Sequence, residues 1–308
     1  MKIIGIGNAI VDVLCKVSDD FLIKNSLIKG TMKLIKESEF KNLISTLKIE
    51  ETISGGSVAN SIVGISQLGN EVGFIGKIND DNFGEKYEEG LLKENVKYFY
   101  KKKKEADNTG SCLILITPDS ERTMCAFLGT AGKISAEDIN EKVIMNSKIT
   151  FLEGYLWDKG SPKSAFDKAI KLSKITAMSL SDQFCVERHK DNFLELVKNK
   201  IDIVFGNEQE FISLINAKSF DEVIDFSKQL NKDIIITRGE KGAIAINQDQ
   251  VISCEAIKNL NIKDLTGAGD LFAAGYLHGK INNFSIQESL EKGTELSSKV
   301  IQKIGARL

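Results

Sequence analysis

Short apolar, β-branched runs take turns with longer helix-period segments along nearly the whole of this chain, and few folds accommodate that order. The runs "KIIGIG", "VGFIGKI", "ITFLEGYLW", "AMSLS", "DIVFGN" and "DIIITRG" read as strands. The intervening "EFKNLISTL", "SVANSIVGISQLG", "AFDKAIKLSKI", "NFLELVKNK", "EQEFISLINA" and "DEVIDFSKQL" read as helices. Strands that are apolar throughout are covered on both faces. The pattern therefore predicts βαβ units around a mostly parallel, doubly wound sheet in a three-layer α/β/α core. Two segments break the rhythm: "VDVLCKV", and the stretch from "VKYFYKKKK" to "TGSCLILITPDSERTMCAFL", in which "TPDSER" reads as a hairpin turn. They predict a small antiparallel sheet, drawn discontinuously from about 12–35 and 96–128, projecting from a single domain over 1–308. Lys101 to Lys104 fall on an expected edge strand, where a charge run discourages edge pairing, and receive no function.

The apolar content, 42%, is ample for a sizeable core. Lys and Arg total 41 against 43 Asp and Glu, so no global positive field exists to hold nucleic acid or an anionic membrane. The five cysteines are scattered without a C-x-x-C pair, and His189 and His278 are the two histidines, which disfavours structural zinc and a disulfide framework. The opening "MKIIGIGNAIVDVLC" is too short and too interrupted to span a bilayer. The expectation is a cytoplasmic protein, monomer or homodimer, that handles a small molecule.

Several glycine-rich stretches compete for that role. "GIGNAI" follows a strand but has Ile10 where a dinucleotide fingerprint needs glycine, which disfavours an NAD-dependent oxidoreductase. A Walker-type phosphate loop is missing, and in "SGGSVAN" Ala59 stands where a nucleophile elbow needs glycine. "DLTGAGDLFAAGYLHG" is different. Gly267, Ala268 and Gly269 allow a tight turn at a helix start, so successive N–H groups can converge on an anion with the helix dipole behind them. Asp270 then falls in the first helical turn, where its carboxylate could take a proton from a hydroxyl as phosphate arrives. A capped helix with Thr266 or Asp264 as cap would leave the same pattern.

Other motifs favour the first reading. "DLTGAGD" resembles the G-A-G-D signature of the ribokinase-like (PfkB) sugar and nucleoside kinases, and "GGSVAN", Gly55 to Asn60, resembles their substrate motif. "GNEQE" supplies an N-x-x-E as Asn207 and Glu210, "TRGEKGA" a strand-turn, and "GKINDDNFG" a glycine–aspartate segment, all in the family's order. Leu265 departs from the polar residue often found there, and the segment ending "IGARL" is short to support the last helix. "GIGNAIVDVL", "TGSCLILITPDSERTM", "FLEGYLW" and "IDIVFGNEQEF" resemble the adenosine kinase branch.

That resemblance implies an ATP- and Mg²⁺-dependent phosphotransferase acting on the 5′-hydroxyl of a nucleoside, adenosine to AMP. It implies Asp270 as general base and Gly267, Ala268 and Gly269 as the anion hole. Asp12 would hold two sugar hydroxyls, with Asn8, Gly55, Gly56, Ser57 and Asn60 around the sugar and Arg122 swinging in to phosphate. Leu14, Tyr155 and Leu156 would wall the base. Asn207, Thr237, Gly239, Gly242 and Thr266 would bind ATP, and Asn207 with Glu210 would position Mg²⁺ through water. The alternatives left open are a sugar kinase of the same family and a non-catalytic nucleoside or sugar sensor.

Overall fold

The structure, a computed structural model, describes residues 1–119, 121–158 and 162–308. In chain order the first half comprises β1 (Ile3–Ile6), β2 (Ile10–Lys16), α1 (Asp19–Lys24), β3 (Met32–Leu34), α2 (Glu37–Ser45), β4 (Ile49–Gly55), α3 (Ser57–Gln67), β5 (Val72–Ile75), α4 (Asn82–Lys93), β6 (Lys97–Tyr98), β7 (Gly110–Ile116), β8 (Arg122–Phe127) and α5 (Glu141–Met145). The second half comprises β9 (Ile149–Glu153), α6 (Pro162–Leu172), β10 (Thr176–Ser179), α7 (Gln183–Asn199), β11 (Ile203–Asn207), α8 (Glu208–Ile215), α9 (Phe220–Lys228), β12 (Asp233–Thr237), β13 (Ala243–Asn247), β14 (Gln250–Cys254), α10 (Ala268–Ile281) and α11 (Ile286–Val300).

The main sheet runs β14-β13-β12-β11-β10-β9-β1-β5-β6. It is parallel from β12 to β6 and closes with the antiparallel hairpin β13–β14 beside β12. Its strands are apolar on both sides because both are covered: Val58 and Ile62 of α3, Leu91 of α4, Leu277 of α10 and Leu290 of α11 pack on one face. Phe166 of α6, Phe193 of α7 and Phe211 of α8 pack on the other. The chain leaves β1 toward β5 on one side and later toward β9 on the other, so the carboxyl ends of β1 and β9 open a crevice, where α/β sheets place their ligands.

The second sheet has the order β3-β8-β7-β2-β4. It is antiparallel where β2 meets β4 and β7 meets β8, and parallel where β2 meets β7 and β3 meets β8. The expected segments supply β3, β7, β8 and most of β2. Two details differ from expectation. β4, from "IEETISG", joins this sheet as an edge, while the strand at Lys97–Tyr98 pairs with β5 in the main sheet. Ser120, in the expected hairpin turn, lies outside the described residues; on either side of it Thr117 N–H donates to the Glu121 carbonyl at 3.0 Å. One face of the small sheet buries Val11, Val13, Leu113, Leu115, Cys125 and Phe127 against Leu22 of α1 and Phe40 and Leu43 of α2. The cysteines are all free.

Candidate active site

Two helix starts meet at the crevice. β4 ends in Gly55 and α3 begins at Ser57, with Gly56 between them at φ 103°, where a side chain would be strained and a Cβ would lie 2.3 Å from the Asn8 carbonyl oxygen. α10 begins after Gly267, which sits at φ 79° with Ala306 so close that a Cβ would come within 2.6 Å of its Cα. Asp270, in the first turn of α10, is held by α3: Ser57 Oγ donates to its Oδ1 at 2.6 Å and Asn60 Nδ2 to its Oδ2 at 3.0 Å. Burial pushes the Asp270 pKa up to about 6, against the pull of these two donors and of the Arg307 guanidinium. A carboxylate so tuned is ionised at neutral pH yet basic enough to accept a proton.

Asp12 projects from β2 next to Gly55, and burial pushes its pKa up to about 7, with Arg307 and Arg122 pulling down and Asp270 pushing up. Glu153, fully buried at the end of β9, is a site residue that the motifs did not single out. Its Oε1 accepts from the Asn8 N–H and Nδ2 at 3.3 and 3.0 Å, and its Oε2 from the Val58 N–H at 3.0 Å. It ties β1, β9 and the start of α3 together, and its place at the carboxyl end of a parallel strand was the signal available in sequence. Burial raises its pKa to about 7 although three donors hold it.

The glycine-rich loop before α10 has its own anchor. Asp264 Oδ1 accepts from the Thr266 N–H and Oγ at 3.0 and 2.6 Å, and its Oδ2 accepts from the Gly305 N–H at 2.7 Å. Arg122 of β8 lies against the same carboxylate, Nη2 to Oδ2 3.0 Å, both side chains largely buried. Thr266 is thereby turned toward Asp264. Of the loop amides, that of Ala268 is shared with the Leu265 carbonyl at 3.2 Å. Gly267, Ala268, Gly269 and Asp270 line a pocket of about 400 Å³ together with Ser57, Tyr155, Asn207, Glu210 and Thr237. Asn207 and Glu210 form a reciprocal cap at the start of α8, each side chain accepting from the other residue's N–H, and burial lifts Glu210 to about 7. A larger pocket of about 670 Å³ adjoins it, lined by Thr237, Gly239, Gly242, Ile257, Leu260 and Leu265 among others. Leu265, the departure from the expected polar residue, thus lines both pockets.

The inner face of the small sheet completes the crevice. Cross-strand pairing puts Asp12, Cys112 and Ala126 in one row and Leu14, Ile114 and Met124 in the next, with Ile116 and Arg122 beyond. Leu14 therefore lies on this apolar face. Leu156 does not: it is fully buried in the core on the far side of the main sheet and offers no wall to a ligand. Tyr155 lines the smaller pocket instead. Nor is the segment after α11 a loose support, because Gly305 and Ala306 pack on the glycine-rich loop and Arg307 Nε donates to Asn60 Oδ1 at 3.1 Å.

A doubly wound sheet with a second small sheet closing over a glycine-rich helix start is the architecture of the ribokinase-like α/β proteins. The chain belongs to the pfkB family of carbohydrate kinases, whose family model matches residues 28–308. It superposes on the crystal structure of adenosine kinase from Sinorhizobium meliloti with a TM-score of 0.90 and 34% identity, covering 100% of this chain and 95% of that one. A probable sugar kinase from Rhizobium etli gives a TM-score of 0.90 and 33% identity over 99% of this chain and 94% of that one. Among curated proteins, the 5-dehydro-2-deoxygluconokinase of Clostridium botulinum is 28% identical across 84% of this chain and 81% of its own length. The likeness to the adenosine kinase structure supports the adenosine kinase-like branch of the ribokinase fold.

Proposed function

We propose that this kinase transfers the γ-phosphoryl group of ATP to the 5′-hydroxyl of a nucleoside, adenosine to AMP, in the cytoplasm. The observation that carries the reading is the apolar inner face of the small sheet, where Leu14, Cys112, Ile114, Met124 and Ala126 surround Asp12. A free sugar offers hydroxyls and little for such a surface, whereas a nucleoside adds a flat apolar base to them. Asp12 accepts two sugar hydroxyls, with Asn8 and Asn60 close by. Asp270 takes the proton of the 5′-hydroxyl as its oxygen forms a bond to the γ-phosphorus, the bond to the ADP oxygen breaks and ADP leaves. The amides at the start of α10 and Arg122 receive the charge that moves onto the transferring group. The adenine of ATP lies in the larger pocket beside Ile257 and Leu260, with Thr237, Gly239 and Gly242 along its edge.

Among the described residues no cluster of three or more His, Cys, Asp or Glu side chains could cage a metal. One carboxylate, Glu210, with Asn207 beside it in the pocket of the anion loop, fits a hydrated Mg²⁺ held chiefly through the phosphates of ATP. The ion, when bound, offsets phosphate charge. A second reading, a sugar kinase, is favoured by the curated 5-dehydro-2-deoxygluconokinase relatives. A coupled assay of ADP formation over adenosine, other nucleosides, ribose, fructose and 5-dehydro-2-deoxygluconate separates the two. Adenosine should give by far the highest kcat/KM, and turnover of a sugar with adenosine inert would overturn the nucleoside assignment.

A further inference from the structure

Arg307 lies far from every motif that marks the site, yet its guanidinium is turned into the crevice. Its Nε donates to Asn60 Oδ1 at 3.1 Å, and its Nη2 is shielded from solvent with no hydrogen-bond partner. An arginine that only closed the surface would leave its head in water. Here the backbone holds it in. The Lys263 N–H donates to the Ile301 carbonyl at 2.8 Å, the Gly305 N–H to Asp264 Oδ2 at 2.7 Å, and Ala306 fills the space that Gly267 leaves. With its oxygen engaged by Arg307, the Asn60 amide is fixed in the orientation that sends Nδ2 to Asp270 at 3.0 Å.

We infer that Arg307 is a positioning residue for phosphoryl transfer: through Asn60 it sets the orientation of the Asp270 carboxylate, and it keeps a positive charge beside that carboxylate while the acceptor hydroxyl is deprotonated. The inference rests on the reading of Asp270 as the base. The neutral donors on Asp270 are Ser57 and Asn60 from α3. Asp270 in turn acts on the acidic groups across the crevice, Asp12 on β2, Glu153 on β9 and the Tyr155 phenol just beyond it, while Arg122 acts on Asp12. Arg307 is the cation that works against burial at Asp270.

The test is the pH dependence of kcat and KM for the full-length chain between about pH 5 and about pH 9, with ATP and the best acceptor of the panel. Arg307→Ala should move the acid limb of kcat up by about one pH unit, so that turnover near the low end falls about tenfold more than at the high end. Added guanidinium ion should restore part of the rate where an equal concentration of sodium chloride does not. Arg307→Lys keeps the charge without the planar fork, so its acid limb should stay near that of the parent while kcat falls. This milder variant reads the limb even if Arg307→Ala proves unstable. A loss that is equal at every pH, or an Arg307→Lys limb displaced as far as that of Arg307→Ala, overturns the inference. Asp270→Asn run in parallel separates the two ideas. If it retains turnover, the base assignment falls; if it is inactive while the Arg307→Ala limb is unmoved, only the role of Arg307 falls.

Discussion

Asp12→Asn should stabilise this protein at alkaline pH even as it disables it. The carboxyl is wedged against Gly55, where a Cβ would lie 2.2 Å from Asp12 Oδ2, so an amide of the same shape fits and a larger group does not. Burial carries the Asp12 pKa from the ordinary 3.8 to about 7 in the folded state, with Arg307 and Arg122 pulling the other way. Because the folded value lies above the unfolded one, the stability tied to this proton is fully present below the unfolded pKa and is lost as pH rises through about 7. A rise of about three pH units corresponds to about 4 kcal/mol at alkaline pH. Asparagine carries no charge to bury. The variant and its parent should therefore unfold with nearly equal free energies near pH 4, and the variant should gain up to about 4 kcal/mol near pH 9. Urea unfolding at both pH values measures this, and a difference that does not change with pH would refute the reasoning.

Asp270→Asn should lower kcat by about 10²–10⁴-fold, since amide for carboxylate keeps the shape and removes the base, while adenosine and ATP still bind by calorimetry. Glu210→Gln should raise the Mg²⁺ concentration at half-maximal rate, read from a Mg²⁺ titration of turnover; an unchanged titration would remove Glu210 from the metal's surroundings.

The parallel core was legible because its strands are apolar throughout and its helices carry a clear period, and "DLTGAGD" announced the helix start with its inward aspartate. What stayed hidden was decided at long range. "IEETISG" carries two glutamates and no local sign that its partner is β2, some forty residues earlier. The hairpin β13–β14 turns through Gln248 at φ 52°, without a glycine to mark it. Leu156 is expected to wall the base beside Tyr155, yet the chain's path past β9 drops it into the core. Arg307 follows α11 with nothing local to distinguish it, and only the fold brings it to Asn60. Single residues whose work depends on such arrivals have no period or spacing of their own.

The division of the site between the two sheets bears on the order of events. Asp12 and Arg122 ride on the small sheet, whereas Asn60, Asp270 and the glycine-rich loop belong to helices packed on the large one. Among the described residues the chain crosses between the two sheets four times, and the crossings at 7–9 and at Gly56 are short and lie at the crevice. On the proposed reading the acceptor is the fastener across that seam, gripped by its hydroxyls on one side and presenting its reactive oxygen to Asp270 on the other. A water molecule can reach Asp270 but cannot span the seam, so it cannot hold the two bodies in register, and idle nucleotide cleavage is discouraged by what water is too small to bridge.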